Sequence, residues 1–309
     1  MYKFGQPNIG QPNLSLCMNK QNLLYVLCIC FFSYACSKQK SAVLEKEDIA
    51  GGGNQTANTE GTTLTANAAV DTYQLINNIF GGTGDVIEAP DCSHIAFGKH
   101  ITQVYDQDLK RTVFAFKIHV TPDNDKCEDS DRQRNEIKTY DRSPENLKAS
   151  KEEKVLYKWK FKLDAGFKPS SDFTHIHQLK PIDGDNTLPI ITLTPRYKAG
   201  GDILQVIHTG DTDATSQKYI ATVPLSDFRG QWVEVTERAT FSFDGKYEIQ
   251  ITRISDNKLL LKQAFTNIEM WRKNTTSCRP KWGIYRRTLQ PDMLRDETLW
   301  FNDFNITEY

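Results

Sequence analysis

The stretch Lys154-Val155-Leu156-Tyr157-Lys158-Trp159-Lys160-Phe161-Lys162-Leu163 decides the fold class. Val155, Tyr157, Trp159, Phe161 and Leu163 alternate with Leu156, Lys158, Lys160 and Lys162. Successive side chains of a strand point to opposite faces, so this is a strand with one face buried and one wet. The lysine face is either a solvated surface or a basic stripe for a polyanion. Runs of the same habit recur at 112–120, 202–208, 219–223, 232–236, 247–254, 259–265, 283–287 and 299–306. Asp244-Gly245 and Ser255-Asp256-Asn257 are turn candidates between them. Only 72–80 (TYQLINNIF) reads as a helix.

Many short strands with turn residues between them predict an all-β, jelly-roll sandwich of two antiparallel sheets, of the concanavalin A-like kind. One sheet of such a sandwich is concave and leaves an open cleft for an extended chain. The sandwich is expected over residues 70–309, roughly 240 residues and therefore one domain. Ahead of it, 22–35 (NLLYVLCICFFSYA) is apolar and follows Lys20, the pattern of a secretory signal. Met18 is a more natural start for it than Met1. Residues 1–36 then form a signal peptide ending at Cys36, the candidate lipid-carrying cysteine, although Ser33 stands where a lipobox usually has Leu. Residues 37–69, with Gly51-Gly52-Gly53, have the composition of a flexible tether. The expected location is the outer membrane of a Gram-negative bacterium through a lipid anchor, otherwise the periplasm or the medium.

Net charge is −1, which gives no strong pull toward nucleic acid or a membrane surface. Of seven cysteines, Cys17, Cys28 and Cys30 precede the cleavage point. Cys92, Cys127 and Cys278 remain for the folded domain; Cys92–Cys127 is the first candidate pair, with the other pairings open. No CxxC or clustered Cys/His pattern in the sequence suggests zinc. No cofactor is expected. A structural Ca²⁺ is conceivable at the acidic loop 123–131 (DNDKCEDSD) or with Asp303 in the last strand.

Three distant segments carry the chemistry: Arg134-Asn135-Glu136-Ile137-Lys138, His175-Ile176-His177-Gln178-Leu179-Lys180 and Lys281-Trp282-Gly283-Ile284-Tyr285-Arg286. They resemble, in order and spacing over about 150 residues, the signature strands of jelly-roll polysaccharide lyases. The alginate lyases of that group carry R-[ST]-E-[LV]-R, Q-[IV]-H and Y-x-K-A-G-x-Y-x-Q. Here Lys138 replaces the last Arg of the first motif, His175 the Gln of the second and Trp282 the Ala of the third. These departures, with FTHIHQLK and RPKWGIYR, look more like the glucuronan, ulvan or heparin-I-type lyases. An ulvan lyase of a marine Bacteroidetes is the nearest likeness.

The resemblance implies an endo-acting, secreted and monomeric lyase that cleaves an anionic uronate polysaccharide by β-elimination, with ulvan the first substrate and glucuronan the next. That reaction needs the uronate carboxylate neutralised, a base for the C5 proton and an acid for the leaving O4. Carried over by position, Tyr285 is the base and acid candidate, His177 the second proton carrier, and Arg134 and His175 neutralise charge. Gln178, Lys180 and Lys281 are further substrate-binding candidates. His175 and His177 share one face of a regular strand, and Gln178 and Lys180 the other, unless a bulge intervenes. The histidine face is expected in the cleft. The ladder Arg134–Glu136–Lys138 reads equally as a surface ion ladder.

Two other functions compete. A glycoside hydrolase needs two carboxylates flanking the bond, and the E-x-D-x-E triplet of sandwich glucanases is absent from this sequence. A non-catalytic glycan-binding lipoprotein would rely on exposed aromatics, for which Trp271, Trp282 and Trp300 are the candidates.

Overall fold

The computed structural model describes residues 61–210 and 214–309. The signal peptide, most of the tether and Cys36 lie outside the described residues. In chain order the strands are β1 (Thr62–Leu64), β2 (Ile87–Glu88), β3 (Ile101–Asp106), β4 (Arg111–Ile118) and β5 (Arg132–Lys138). Then come β6 (Lys154–Leu163), β7 (Thr174–Pro181), β8 (Ile191–Arg196), β9 (Ile203–Thr209) and β10 (Gln217–Pro224). The last five are β11 (Trp232–Thr240), β12 (Gly245–Arg253), β13 (Leu259–Ile268), β14 (Cys278–Arg287) and β15 (Glu297–Glu308).

They form two antiparallel sheets. One has the order β13-β12-β11-β6-β15-β4-β3, with β1 added on β15; the other has the order β10-β9-β8-β7-β14-β5-β2. This is the expected jelly roll. Strand β6 behaves as its alternation requires: Val155, Tyr157, Trp159, Phe161 and Leu163 are all buried between the sheets. Trp159 stacks on Phe161 and Phe301, and Trp282 of the opposite sheet packs on Phe304. The lysine face is a solvated ion-pair surface. Lys160 Nζ lies 2.7 Å from Asp303 Oδ2, and Lys162 pairs with Asp106 and Asp108.

The helix α1 (Thr72–Phe80) starts where Asp71 accepts hydrogen bonds from the Tyr73 and Gln74 amides, and stops at left-handed Gly81. Its Ile76 and Phe80 enter the core, Phe80 stacking on Trp282. The folded part begins before residue 70, because Thr62, Thr63 and Leu64 pair with Ile306, Asn305 and Phe304. Three residues added to an existing edge leave almost no periodicity to read. Strands β3 and β8 were also outside the expected runs. Pro195 inside β8 argues against a strand locally, yet it pairs with Leu204. Cys92 and Cys127 form a disulfide, and Cys278 is a buried free thiol.

Candidate active site

The second sheet turns its outer face into a trough. Strand β5 alternates regularly: Asn135 and Ile137 are buried toward the core, while Arg134, Glu136 and Lys138 face outward. Strand β14 lies beside it with Tyr285 opposite Arg134, Gly283 opposite Glu136 and Lys281 opposite Lys138. Gly283 has φ +143°, and a Cβ there would fall 2.1 Å from the Asn135 carbonyl oxygen. Only glycine lets the two strands approach this closely.

On its other side β14 pairs with β7, and here the register slips. Trp282 faces His177 and Tyr285 faces His175, so three steps of β14 run beside two of β7. Such a bulge breaks the alternation of side chains. His175 lies in the trough, Ile176 and His177 both enter the core, and Gln178 and Lys180 return to the trough. The expectation that His175 and His177 share the cleft is therefore corrected. His177 is fully buried against Trp159 and Trp282. Its Nδ1–H donates to the Lys281 carbonyl at 2.9 Å, and its Nε2 lies 3.0 Å from Glu237 Oε2. Glu237 also accepts from Trp159 Nε1 and from the Tyr247 hydroxyl. Burial opposes its charge, but His177 and these donors prevail and hold its carboxyl below the usual range.

The trough has a volume of about 570 Å³ and crosses β5, β14, β7, β8, β9 and β10. Tyr285 lines it on β14, between β7 and β5. The Arg134 guanidinium lies 3.7 Å from the Tyr285 ring centroid, and Arg132 Nη1 donates to the Tyr285 oxygen at 3.3 Å. Phe173 packs between Tyr285 and His175, with centroids 5.0 and 4.8 Å away. His175 Nδ1 is 2.8 Å from Thr194 Oγ1, and Thr194 in turn donates to Thr192. That leaves the Thr194 oxygen to accept, so Nδ1 carries the proton and Nε2 keeps its lone pair. Burial, with Arg196, Arg134 and Lys281 nearby, pushes the imidazole down to about 3, so the ring is neutral.

Beneath the surface runs an ion network. Glu136 is fully buried and accepts from Gln178 Nε2 (2.5 Å), Lys281 Nζ (2.7 Å) and Arg134 Nη1 (2.8 Å). Lys281 also reaches Glu88 at 2.6 Å, and Lys138 reaches Glu88 at 2.7 Å. Burial disfavours both carboxylates, yet these cations hold Glu136 low and Glu88 well below the usual range. Lys281 is thus a buried support under the trough, not the exposed substrate contact expected. Arg134 is clamped from below by Asp125 at 2.7 and 3.0 Å and by Glu136. The ladder Arg134–Glu136–Lys138 is both an ion network and the bed of the site.

Lys180 and Arg196 differ from these: among the described residues neither has a carboxylate partner. Lys180 Nζ meets the Thr187 carbonyl at 3.4 Å, and burial among Lys281, Arg134 and Arg279 pushes its ammonium down to about 7. Arg196 donates to Gln205 and to the Asp172 carbonyl, beside Tyr219. Arg132, Phe173, Arg196 and Tyr219 were missed in the sequence. The tract 187–196 that carries Arg196 showed no strand signal, and Phe173 sits just ahead of β7.

Three of the carboxylates proposed for calcium are engaged elsewhere. Asp125 holds Arg134, Asp131 pairs with Arg132 and Arg287, and Asp303 pairs with Lys160 and Arg111. Of the aromatics suggested for a binding module, Trp271 and Trp282 are buried.

The alginate lyase of the marine PL-14 group from Aplysia kurodai superposes with a TM-score of 0.51 at 13% identity, over 81% of this chain and 100% of that one. The chain shares the jelly-roll fold of polysaccharide lyases. Alginate lyase Aly36B, solved with an alginate trisaccharide, gives a TM-score of 0.53 at 9% identity, over 81% and 99%. The endo-β-1,4-glucuronan lyase of the fungus Trichoderma reesei gives 0.47 at 14% identity, over 67% and 86%. No family profile and no curated protein sequence matches this chain.

Proposed function

We propose that this protein is a polysaccharide lyase that cleaves a uronic-acid-containing polyanion by β-elimination in the trough of the second sheet. The observation that carries the reading is the meeting of Tyr285, His175, Gln178 and three guanidiniums in one open groove. Jelly-roll lyases of the resembling group use an Arg, a Gln, a His and a Tyr. The register slip between β14 and β7 restores that set from a different order, with Gln178 and His175 both lining the trough.

Gln178 and Lys180 receive the uronate carboxylate and disperse the charge that grows on it as the C5 proton leaves, while Arg196, at the other end of the β7–β8 ladder, meets the charge of a neighbouring sugar. Tyr285 as phenolate takes that proton and returns it to O4 as the bond to O4 breaks, so the tyrosine ends as it began. Arg132 supplies positive charge beside the oxygen and Arg134 over the ring throughout. His175, neutral and with Nε2 unprotonated, accepts a hydrogen bond from a sugar hydroxyl and orients the ring. A groove open along the sheet admits the middle of a chain, which supports endo-action.

Ulvan is the first substrate to test and glucuronan the second, with alginate included because two similar folds are named alginate lyases. Incubation with ulvan, glucuronan, alginate and heparin, followed by the ultraviolet absorbance of the unsaturated product, tests the reading. Absorbance growth on one polyuronate is expected. Depolymerisation without it would indicate a hydrolase, and binding without cleavage a glycan-binding module.

Export and acylation at Cys36 complete the reading. The Cys92–Cys127 bridge supports an oxidising compartment. Mass spectrometry of the mature protein should find loss of residues through 35 and a lipid on Cys36; an intact Met1 or Met18 would refute export.

A further inference from the structure

We propose that His94, His100, His119 and Asp123 form a structural Zn²⁺ site at the end of the sandwich, with Asp91 orienting His100. The four side chains come from three places: the loop before β3, the lip of β3, and the turn after β4. Their ligand atoms all lie within 4.8 Å of one another. His94 Nδ1 is 2.9 Å and His100 Nε2 3.2 Å from Asp123 Oδ1, and His119 Nδ1 is 3.1 Å from Asp123 Oδ2. A tetrahedral zinc with bonds of roughly 2.0–2.1 Å sets its ligand atoms about 3.3 Å apart. The three imidazole–carboxylate separations already stand close to that value, and the wider pairs, up to 4.8 Å apart, must draw together to seat the ion.

The donor set chooses the metal. Three imidazoles and one carboxylate suit zinc, whereas calcium takes oxygen ligands almost alone. Asp91 Oδ1 lies 2.8 Å from His100 Nδ1, the carboxylate–histidine–metal arrangement that fixes a ligand's tautomer and orientation. His100 and Asp123 are buried, and Phe97 covers the cluster with its ring 4.3–5.3 Å from the three imidazoles. With four protein ligands and an aromatic cover, the site is closed, as structural zinc sites are.

Without the ion, three imidazoles must aim N–H groups at one carboxylate that already accepts the His119 amide. With it, they aim lone pairs at the metal. The site also has a reach. Asn124, next to Asp123, accepts the Arg134 amide, and Asp125 clamps the Arg134 guanidinium. The ion would brace the turn that holds the cation stacked on Tyr285.

The test uses the purified full-length protein, stripped with a chelator and titrated with Zn²⁺, Co²⁺ or Ca²⁺. Stoichiometric zinc retention, a melting temperature that falls on stripping and recovers with zinc, and the visible absorption of tetrahedral Co²⁺ are expected. Asp91→Asn should weaken zinc binding by about 10–100-fold. His94→Ala should weaken it further and abolish the chelator's effect on melting. If His94→Ala does not fold, the Co²⁺ spectrum of the wild type decides. Melting indifferent to zinc and chelator, no metal retained, or preference for Ca²⁺ would each overturn the proposal.

Discussion

Tyr285 and His177 have different fates at the residue scale, although the resemblance to the lyases suggested proton transfer for both. Tyr285→Phe keeps the ring under Arg134 and removes only the hydroxyl that meets Arg132. Turnover should fall by at least ~10²-fold, the scale of a lost proton carrier, with melting nearly unchanged. Steady-state release of unsaturated sugar checks this; near wild-type release would remove Tyr285 from the mechanism. His177→Ala should do the reverse. It leaves buried Glu237 without the imidazole 3.0 Å away, and an unsatisfied buried polar group costs about 1–3 kcal/mol. Urea unfolding should show that loss, while kcat per folded molecule changes little. A 10²-fold drop in kcat with unchanged stability would restore His177 to the chemistry.

At the scale of elements, the bulge between β7 and β14 and the glycine in β14 build the site together. Gly283 permits β5 and β14 to close up, which sets Arg134 over the Tyr285 ring. Gly283→Ala puts a Cβ against the Asn135 carbonyl at a positive φ. The backbone strain alone costs about 1–3 kcal/mol, and the clash adds to it. Unfolding and turnover should both suffer, since the β5–β14 spacing positions the guanidinium. A variant as stable and active as wild type would show that the strands tolerate wider spacing.

For the molecule as a whole, the distribution of charge sets its response to pH. Glu88, Glu136 and Glu237 have depressed folded pKa values, so their stabilisation is full above the unfolded carboxylate value and lost as pH falls through the folded ones. His175 acts in the same direction: its folded value of about 3 lies below an unfolded value of about 6.5. Its contribution is full above that upper value and is lost as pH falls toward the lower. Melting temperature should therefore decline on acidification from about pH 6.5, and His175→Gln should flatten the upper part of the decline. An identical profile for the variant would contradict the assignment. On the basic side, Lys180 is largely neutral around pH 8, since its ammonium is pushed down to about 7. A polyanion in the trough favours the charged form, so binding should take up protons there. Calorimetry in buffers of different ionisation enthalpy reads this uptake, and Lys180→Met should abolish most of it.

The sequence by itself determined the sandwich, because a two-residue period over β6 and its counterparts follows from local geometry and burial. It also determined that β5, β7 and β14 carry reactive groups, since residue types and their order are local facts. It left three things to tertiary structure. The direction of His177 depended on a slip between β7 and β14, and a strand cannot reveal its own bulge without its neighbour. Lys281 read as a substrate-binding residue until Glu88, nearly two hundred residues earlier in the chain, came to meet it. The histidine cluster, scattered over 94–123 with no metal-binding spacing, exists only because β3, β4 and the loop before them meet at one end of the sandwich. Distance in the chain carries no information about such meetings. Packing of the two sheets decided them.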